Sequence, residues 1–147
     1  MPIRECEPRD REDWLRLRMA LWPGTREDHA KEIEGYFSGA CRFVDQTYFH
    51  ETEDGQIVGF VELRLRDYAE GSLAPKVPYI EGWYVEEAWR GRGIGRALIV
   101  RSERWARELG FSEIASDTDL DNTGSIAAHR ALGFEVAARM ISYLKRL

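Results

Sequence analysis

A run of glycines and arginines at residues 90–96, Arg-Gly-Arg-Gly-Ile-Gly-Arg, is the part of the sequence best suited to chemistry. It lies between a segment with strand character and one with helical periodicity, so its glycines stand where a helix begins. Glycines let the backbone approach an anion closely, and the free N–H groups of the first helical turn then bind it. Arg90, Arg92 and Arg96 add positive charge. The loop therefore predicts a phosphate or pyrophosphate site.

Two familiar phosphate-binding patterns do not fit the 90–96 loop. No Gly-Lys-Ser/Thr follows the glycines, so the loop is not a Walker motif. The spacing of its third glycine also departs from the Gly-x-Gly-x-x-Gly dinucleotide fingerprint. From these residues alone two interpretations stay open: an anion site of another kind, or a tight strand-to-helix turn that binds nothing.

The elements that must position this loop follow from the periodicity of the apolar residues and from the turn signals. The predicted order is β-α-α-β-β-β-α-β-α-β, an α/β fold in which the central helix joins two strands that lie parallel. The predicted elements are strand 3–6, helices 10–21 and 25–37, strands 42–51 and 57–63, loop 67–78, strand 79–85, helix 94–109, strand 114–116, a helix capped by Asp121-Asn122 and ended by Gly133-Phe134, and strand 136–145.

Composition limits the classes of protein and partner. The chain has 147 residues, of which 26 are acidic and 21 basic, for a formal charge of −5. The length predicts one domain, and the negative charge argues against a nucleic-acid partner because phosphates would be repelled. Cys6 and Cys41 are too few for a disulfide framework, and no CxxC pair suggests a metal. The charged N-terminus and the lack of a long apolar run predict a cytoplasmic protein with no signal peptide and no membrane partner.

Two motifs together carry a family resemblance. Arg90-x-x-Gly93-x-Gly95, with Asn122-x-x-Ser125 and the closing Ala131-Leu132-Gly133-Phe134, resembles the Gcn5-related N-acetyltransferases (GNATs). The resemblance implies one N-acetyltransferase domain over residues 1–147, with a GNAT-like mixed central sheet, about four flanking helices and strands that splay at the acetyl-CoA site. It also implies acetyl-CoA as co-substrate. The residues implied to bind it are Trp83, Val85, Arg90, Gly91, Arg92, Gly93, Ile94, Gly95, Arg96, Asn122 and Ser125.

One position departs from the family pattern. Many GNATs carry a tyrosine four residues before the glycine of the closing Gly-Phe, as the acid that protonates the departing thiolate. This sequence has His129 there. Imidazole can donate a proton near neutral pH, so His129 is a candidate acid. The alternative is that His129 only packs against or caps its helix.

A closer resemblance is to the aminoglycoside 6′-N-acetyltransferases. It rests on Leu21-Trp22-Pro23, on Glu81-Gly82, and on Ala115-Ser116-Asp117-Thr118 followed by Asp121-Asn122. By this resemblance, Trp22, Tyr68, Glu81 and Asp117 line the site of the aminosugar. An aminoglycoside is a polycation with many hydroxyls, so carboxylates and flat aromatic faces suit it.

Glu81 and Asp117 are the carboxylates expected to act in catalysis. Glu81 stands in an otherwise apolar strand, where an unpaired carboxylate is costly, so it needs a cationic partner. We expect Glu81 to remove the proton of the amine or to orient a water, and Asp117 to anchor the substrate, although the roles can be exchanged. The alternative is that Glu81 pairs with an arginine and Asp117 caps a turn. No nucleophile arrangement is evident, so direct transfer through a ternary complex is expected.

Two other functions and one assembly stay open at this stage. A GNAT acting on another small amine or on a protein N-terminus would ignore kanamycin-like compounds. A non-catalytic acetyl-CoA-binding domain would bind the co-substrate without turnover. The apolar tail Met140-Ile141-Ser142-Tyr143-Leu144 and the family resemblance predict a homodimer, against the alternative of an internal strand in a monomer.

Overall fold

The computed structural model describes residues 2–41 and 43–147. In this part of the chain there are four α-helices and five strands, with two short 3₁₀ turns at 8–10 and 87–89. The helices are α1 (Arg11–Leu21), α2 (Arg26–Ser38), α3 (Ile94–Glu108) and α4 (Thr123–Ala131). The strands are β1 (Ile3–Glu5), β2 (Gln46–Glu51), β3 (Ile57–Arg66), β4 (Val77–Val85) and β5 (Ala115–Ser116).

The strands form one mixed sheet in the order β1-β2-β3-β4-β5. The first three pairs are antiparallel, whereas β5 lies parallel to β4 after the α3 crossover. The predicted α/β layout, with a parallel pair joined by the central helix, is therefore confirmed. Pairing between β4 and β5 extends only from Tyr79↔Ala115 to Ile80↔Ser116. From Glu81 onward β4 has no partner on that side in the described chain, and the two strands separate there.

Two apolar clusters cover the two faces of the sheet. On one face, α1 and α2 pack against the sheet around Trp14, Leu17, Ile33 and Phe60. On the opposite face, α3 packs with its strongly apolar side, and the segment after α4 joins it through Leu132 and Phe134. This arrangement puts the N-terminus of α3 beside the end of β4. Burial of both faces fixes the register of the central strands.

Several strand boundaries differ from prediction, among them the end of β3 at Arg66 rather than at 63, and one whole predicted strand is absent. β2 begins at Gln46 rather than at 42, and Arg42 lies outside the described residues. β4 begins at Val77, inside the predicted loop. Pro78 is tolerated there because pairing with β5 begins only at Tyr79, so its missing N–H costs no hydrogen bond to β5. The predicted strand over 136–145 is wrong: none of these residues lies in a strand, because no neighbouring strand pairs with them.

No helix in the ranges 2–41 and 43–147 is long and apolar enough to cross a membrane. Cys6 and Cys41 are both free and half-buried. Burial raises the pKa of the Cys6 thiol, which leaves it protonated near neutral pH.

Candidate active site

The glycine loop forms a sharp turn into α3, and its geometry favours a bound anion. Gly91 and Gly93 have φ of +75° and +83°, a left-handed conformation that a side chain disfavours. A Cβ on Gly91 would contact nothing within 4 Å, so the backbone there faces open space. The first helical hydrogen bond is donated by the Ala97 N–H to the Gly93 carbonyl, at 3.0 Å. The N–H groups of the first turn of α3 are therefore available to an external acceptor.

Three arginines flank these N–H groups in sequence. The Nε of Arg90 donates to the Val85 carbonyl at 2.8 Å, which ties the loop to the end of β4. The guanidinium of Arg92 lies 4.7 Å from the Trp89 ring centroid. Both arginines are exposed, as is Arg96 in the first turn of α3. Free N–H donors and three accessible cations are a donor set that suits a pyrophosphate.

Other residues expected at the co-substrate site pack their side chains into the core. Ile94 is buried between α3 and the sheet. The Trp83 ring packs so closely on Gly95 that a Cβ there would lie 3.1 Å from its Cζ2. The Trp83 Nε1 is buried and has no hydrogen-bond partner among the described residues. These residues can therefore offer a ligand their main chain more readily than their side chains.

A β-bulge places Glu81 where β4 and β5 separate. Across the β3–β4 pair, Glu62 lies opposite Gly82 and Leu63 opposite Ile80, so Glu81 is an extra residue in β4. A bulge leaves its extra residue unpaired and redirects its side chain. The Glu81 carboxylate consequently leaves the apolar faces of the sheet and stays 18% exposed.

Glu81 and Asp117 lie in two hydrogen-bonded pairs, which are joined by the stacking of Arg66 on the Tyr79 ring. Arg66 donates to Glu81 through Nε at 2.7 Å and through NH2 at 2.6 Å. The Tyr79 hydroxyl donates to the Asp117 carboxylate at 2.6 Å. Burial, followed by that bond to Asp117, raises the pKa of the Tyr79 hydroxyl. The Arg66 pairing that was the alternative for Glu81 is thus present, and the carboxylate still reaches solvent.

Trp22 lies beside the bulge, on the α1 side of the sheet. Its ring lies against Gly82, where a Cβ would stand 2.4 Å from Trp22 Cη2. The Arg18 guanidinium lies 5.0 Å from the Trp22 ring centroid. Tyr68 is elsewhere, in the loop between β3 and β4, with an exposed ring and a hydroxyl that donates to Glu70 at 3.0 Å. Trp22 therefore lies against Gly82, the residue after Glu81 in β4, whereas Tyr68 lies on a surface loop.

His129 is held by hydrogen bonds on both ring nitrogens. Its Nδ1 lies 2.7 Å from the Ser125 carbonyl, an acceptor, so Nδ1 carries a proton. Its Nε2 lies 2.9 Å from the Ser116 hydroxyl. The ring packs edge-on against Trp83 and Phe134. This environment suits a packing role, and the contact with Ser116 at the end of β5 also leaves the acid role open.

The second motif starts α4. Asn122 is the N-cap of this helix, and its Oδ1 accepts from the Ser125 N–H at 3.1 Å. The amide NH2 of Asn122, which is exposed, stays free to donate to a ligand.

Sequence reasoning missed Arg66 and Arg18, which contact the candidate acceptor residues. Arg66 bonds to Glu81, and the buried Arg18 bonds to Glu62 at 2.5 Å while stacking on Trp22. The signal for Arg66 was weak, because this arginine lies three residues beyond the predicted strand 57–63. For Arg18 it was a charge on the apolar side of the first helix.

Comparison with known proteins gives a consistent assignment. The model of the acetyltransferase (GNAT) family matches residues 11–134. An aminoglycoside N(6′)-acetyltransferase type 1 of Klebsiella aerogenes is 40% identical over 99% of this chain and 96% of its own. The crystal structure of the aminoglycoside 6′-N-acetyltransferase AAC(6′)-Ig of Acinetobacter haemolyticus superposes with a TM-score of 0.89, at 30% identity, over 100% of this chain and 99% of that one.

A further similar structure was solved with a ligand bound. AAC(6′)-Iy bound to the bisubstrate analogue CoA-S-monomethyl-acetylneamine has a TM-score of 0.89 and 34% identity, over 99% of this chain and 98% of that chain. The match covers the glycine loop, the bulged strand and the α4 motif alike. This chain belongs to the acetyltransferase (GNAT) family.

Proposed function

We propose that this chain is an acetyl-CoA-dependent aminoglycoside 6′-N-acetyltransferase, which confers resistance by acetylating the 6′-amine of these antibiotics. One observation carries the proposal: the Klebsiella enzyme of that name is 40% identical over 99% of this chain. Membership of the GNAT family supports the acetyl transfer, and the full-length relatives support the choice of acceptor. We further propose that residues 1–147 act as one N-acetyltransferase domain, to which the family match over 11–134 lends support.

Acetyl-CoA is assigned to the groove between the end of β4 and the N-terminus of α3. The N–H groups of Gly91, Gly93 and the first turn of α3 bind the pyrophosphate, with Arg90, Arg92 and Arg96 as counter-charges. The main chain of 83–85 binds the pantetheine arm, because this part of β4 has no strand partner on the β5 side among the described residues. Asn122 and Ser125 are assigned to the pantetheine arm or to its acetyl end.

The acceptor is assigned to the cluster at the bulge. Glu81 and Asp117 bind ammonium groups of the polycation, and Trp22 and Tyr68 offer faces to the sugar rings. The position of Glu81 at the divergence of two parallel strands supports this assignment, because ligands of α/β sheets bind at the carboxyl ends of strands.

The transfer is direct. An alkylammonium has no lone pair, so the amine first gives a proton to Glu81, directly or through one water. The amine nitrogen then attacks the thioester carbonyl carbon, and a main-chain N–H near Val85 stabilises the oxyanion. The C–N bond forms and the C–S bond breaks. The leaving thiolate takes a proton from His129, and the nitrogen gives its second proton to water as the amide forms. Acetylated amine and CoA are the products.

A thiol-release assay with acetyl-CoA and a panel of amines tests the proposal. The panel pairs an aminoglycoside bearing a 6′-amine with one bearing a 6′-hydroxyl, and adds a polyamine and a peptide. Turnover with the 6′-amine and little with its 6′-hydroxyl counterpart is the expected result. Turnover only with the polyamine or the peptide would assign another acceptor. Binding of acetyl-CoA without turnover of any amine would indicate a non-catalytic domain.

Isosteric variants test the two carboxylates. Glu81→Gln should lower kcat and alter its pH dependence, whereas Asp117→Asn should mostly raise KM for the aminoglycoside. Both variants should keep the acetyl-CoA affinity and thermal stability of the parent. Parental kinetics for both between about pH 6 and pH 9 would move the acceptor site elsewhere.

We also propose a homodimer that acts in the cytoplasm. The tail carries exposed apolar residues, with Ile141 72%, Tyr143 90% and Leu144 82% exposed, which a second copy could cover. β5 is the last strand of the sheet in the described chain, so its outer edge is available for pairing. The two free thiols suit a reducing compartment. Sedimentation at micromolar concentration tests the assembly, and a species of only 17.0 kDa would contradict it.

A further inference from the structure

Arg66 reaches from the end of β3 across the face of Tyr79 to Glu81. Its Nε and NH2 each bond to a different oxygen of the Glu81 carboxylate, at 2.7 and 2.6 Å. A paired, planar contact of this kind sets the plane of the carboxylate as well as its position. The side chain of Arg66 is 33% exposed, so the pair stands at the border between the sheet and solvent.

The same guanidinium is linked to the second carboxylate. Its Cζ lies 3.6 Å from the centroid of the Tyr79 ring, which is a close stacking contact. The Tyr79 hydroxyl donates to Asp117 at 2.6 Å. Glu81 and Asp117, which come from strands that are separating, are thus connected through one arginine and one tyrosine.

We propose that Arg66 is a positioning residue that fixes Glu81 and Asp117 as one array, and that its charge helps the bound acceptor amine to lose its proton near neutral pH. This inference rests on the proposed function, since it requires Glu81 and Asp117 to receive the acceptor. It assigns a role in the reaction to a residue that neither motif contains.

The hydrogen-bonding capacity of Glu81 allows this role. A carboxylate has about four lone-pair directions, and Arg66 occupies one on each oxygen. The remaining directions can accept from an ammonium or a water, so Arg66 need not be displaced when the substrate binds. The substrate then meets a carboxylate whose orientation is already set, which lowers the entropy lost on binding.

The charge of Arg66 matters because the reaction needs a neutral amine. A carboxylate beside an ammonium raises the pKa of the ammonium and so retains the proton on the nitrogen. A nearby cation has the opposite effect and lowers that pKa. Arg66 therefore lets Glu81 bind the amine without stabilising its protonated form to the full extent. The bond from Glu81 in turn raises the pKa of Arg66, which stays charged at any pH of interest.

Other charged groups near Arg66 do not replace it. The groups whose charges act on Arg66 are Glu81, Tyr79 and Asp117. Its charged neighbours in sequence or strand register are Arg64, Asp67 and Lys76. Lys76 pairs with Asp67 at 3.0 Å, and both are exposed. Arg64 lies over the Phe43 ring, at 5.3 Å from its centroid. Of the charged residues in the described ranges, only Arg66 is hydrogen-bonded to Glu81.

The test separates charge from geometry with two variants and one control. Arg66→Gln removes the charge, Arg66→Lys keeps the charge but not the paired contact, and Arg64→Gln removes a charge from the same strand. The kinetics of thiol release are measured from about pH 6 to pH 9, with the acetyl-CoA affinity and Tm of each variant.

For Arg66→Gln we expect KM for the acceptor to rise about tenfold and the pH profile of kcat/KM to move up by about one unit. For Arg66→Lys we expect a raised KM with the parental pH profile. Arg64→Gln should leave both unchanged. A parental profile and KM for a folded Arg66→Gln would overturn the inference, and so would an equal pH shift in Arg66→Lys.

The amine panel keeps this outcome distinct from that of the proposed function. If the parent acetylates a polyamine but no aminoglycoside, the proposed function fails and the same pH comparison is made with the polyamine. If the parent acetylates the aminoglycoside and the Arg66 variants behave like the parent, only the inference about Arg66 fails. A parent that acetylates no amine overturns both.

Discussion

Replacing Gly82 with alanine should weaken binding of the acceptor by displacing Trp22, although no proposed contact residue is itself replaced. A Cβ at Gly82 would lie 2.4 Å from Cη2 and 2.5 Å from Cζ2 of Trp22, and 3.3 Å from Leu21 Cδ2. Ordinary contacts of a Cβ begin at 3.4 Å, so the indole must move by at least about 1 Å. The backbone of Gly82 is not left-handed, so an alanine acts through this contact rather than through strain at its own φ.

The size of the effect follows from where the strain is released. Overpacking a filled site costs about 1–3 kcal/mol, and the half-buried Trp22 on the α1–α2 turn can move more easily than the backbone of β4. If the displaced ring loses about 1.4 kcal/mol of contact with the sugar, KM for the aminoglycoside rises about tenfold. The acetyl-CoA KM should stay within about twofold of the parent, because Trp22 packs on the α1 face of the sheet, whereas the glycine loop leads into α3 on the opposite face.

Thiol-release kinetics of a double-mutant cycle provide the measurement. Gly82→Ala, Trp22→Ala and the double variant are compared with the parent at saturating acetyl-CoA. Once the indole is absent, the alanine has nothing to displace, so Gly82→Ala should add almost nothing in the Trp22→Ala background. A parental KM for Gly82→Ala, or an equal rise in KM with and without Trp22, would refute the reasoning.

The glycine loop and two buried carboxylates give the remaining predictions. Gly93→Val puts a β-branched side chain at φ +83°, and calorimetric titration should show acetyl-CoA binding weakened at least about tenfold; parental affinity would exclude the loop assignment. Burial alone would raise the pKa of Asp10, but its bonds from Arg4 hold that pKa below the usual range. The charged form of Asp10 therefore stabilises the fold fully above about pH 4, and this stabilisation declines as the pH falls further. Denaturant titration of Asp10→Asn should show the free energy of unfolding lowered by about 1.5–3 kcal/mol at neutral pH and by less below pH 3. An equal loss at both pH values would contradict this. Glu62→Gln weakens the buried partner of Arg18, and we expect the free energy of unfolding to fall by about 3–5 kcal/mol. Arg18→Met with Glu62→Leu should cost less, about 1–3 kcal/mol, because only the buried Trp14 N–H then loses its acceptor. An unchanged free energy of unfolding for Glu62→Gln would contradict the pairing.

Elements whose signals are local could be predicted from the sequence. The apolar periodicity of 94–109 and the glycines before it predicted α3 and its sharp start, and both are present. The strand predicted over 136–145 is wrong because a strand depends on a partner that is not local. The alternation in this segment suits a strand, but a strand exists only when another strand donates and accepts its hydrogen bonds, and residues 136–145 have no such neighbour among the described residues. That information is not in the tail itself.

The candidate site shows the same division. Motif spacing led to Asn122 as the cap of α4 and to Glu81 and Asp117 as carboxylates at one end of the sheet. The bulge that redirects Glu81 could not be predicted, because it is a property of how β3 and β4 are aligned and neither strand shows it alone. Arg66 was missed likewise, since its partner Glu81 is 15 residues away in sequence and meets it only across the β3–β4 pair.

Glu62 is a charge buried in the sheet beside the bulge. The sheet tolerates it because its carboxylate pairs with residues of the first helix. It lies opposite Gly82, at the residue where the register shifts, and it is 1% exposed. Its carboxylate accepts from Trp14 Nε1 at 2.8 Å and from Arg18 NH1 at 2.5 Å. Arg18 in turn stacks on Trp22, whose ring lies against Gly82. A buried ion pair contributes little net stability, but its hydrogen bonds have few alternative geometries. The buried carboxylate of Glu62 therefore helps to position both Trp22 and the bulge that carries Glu81, although these belong to elements far apart in sequence.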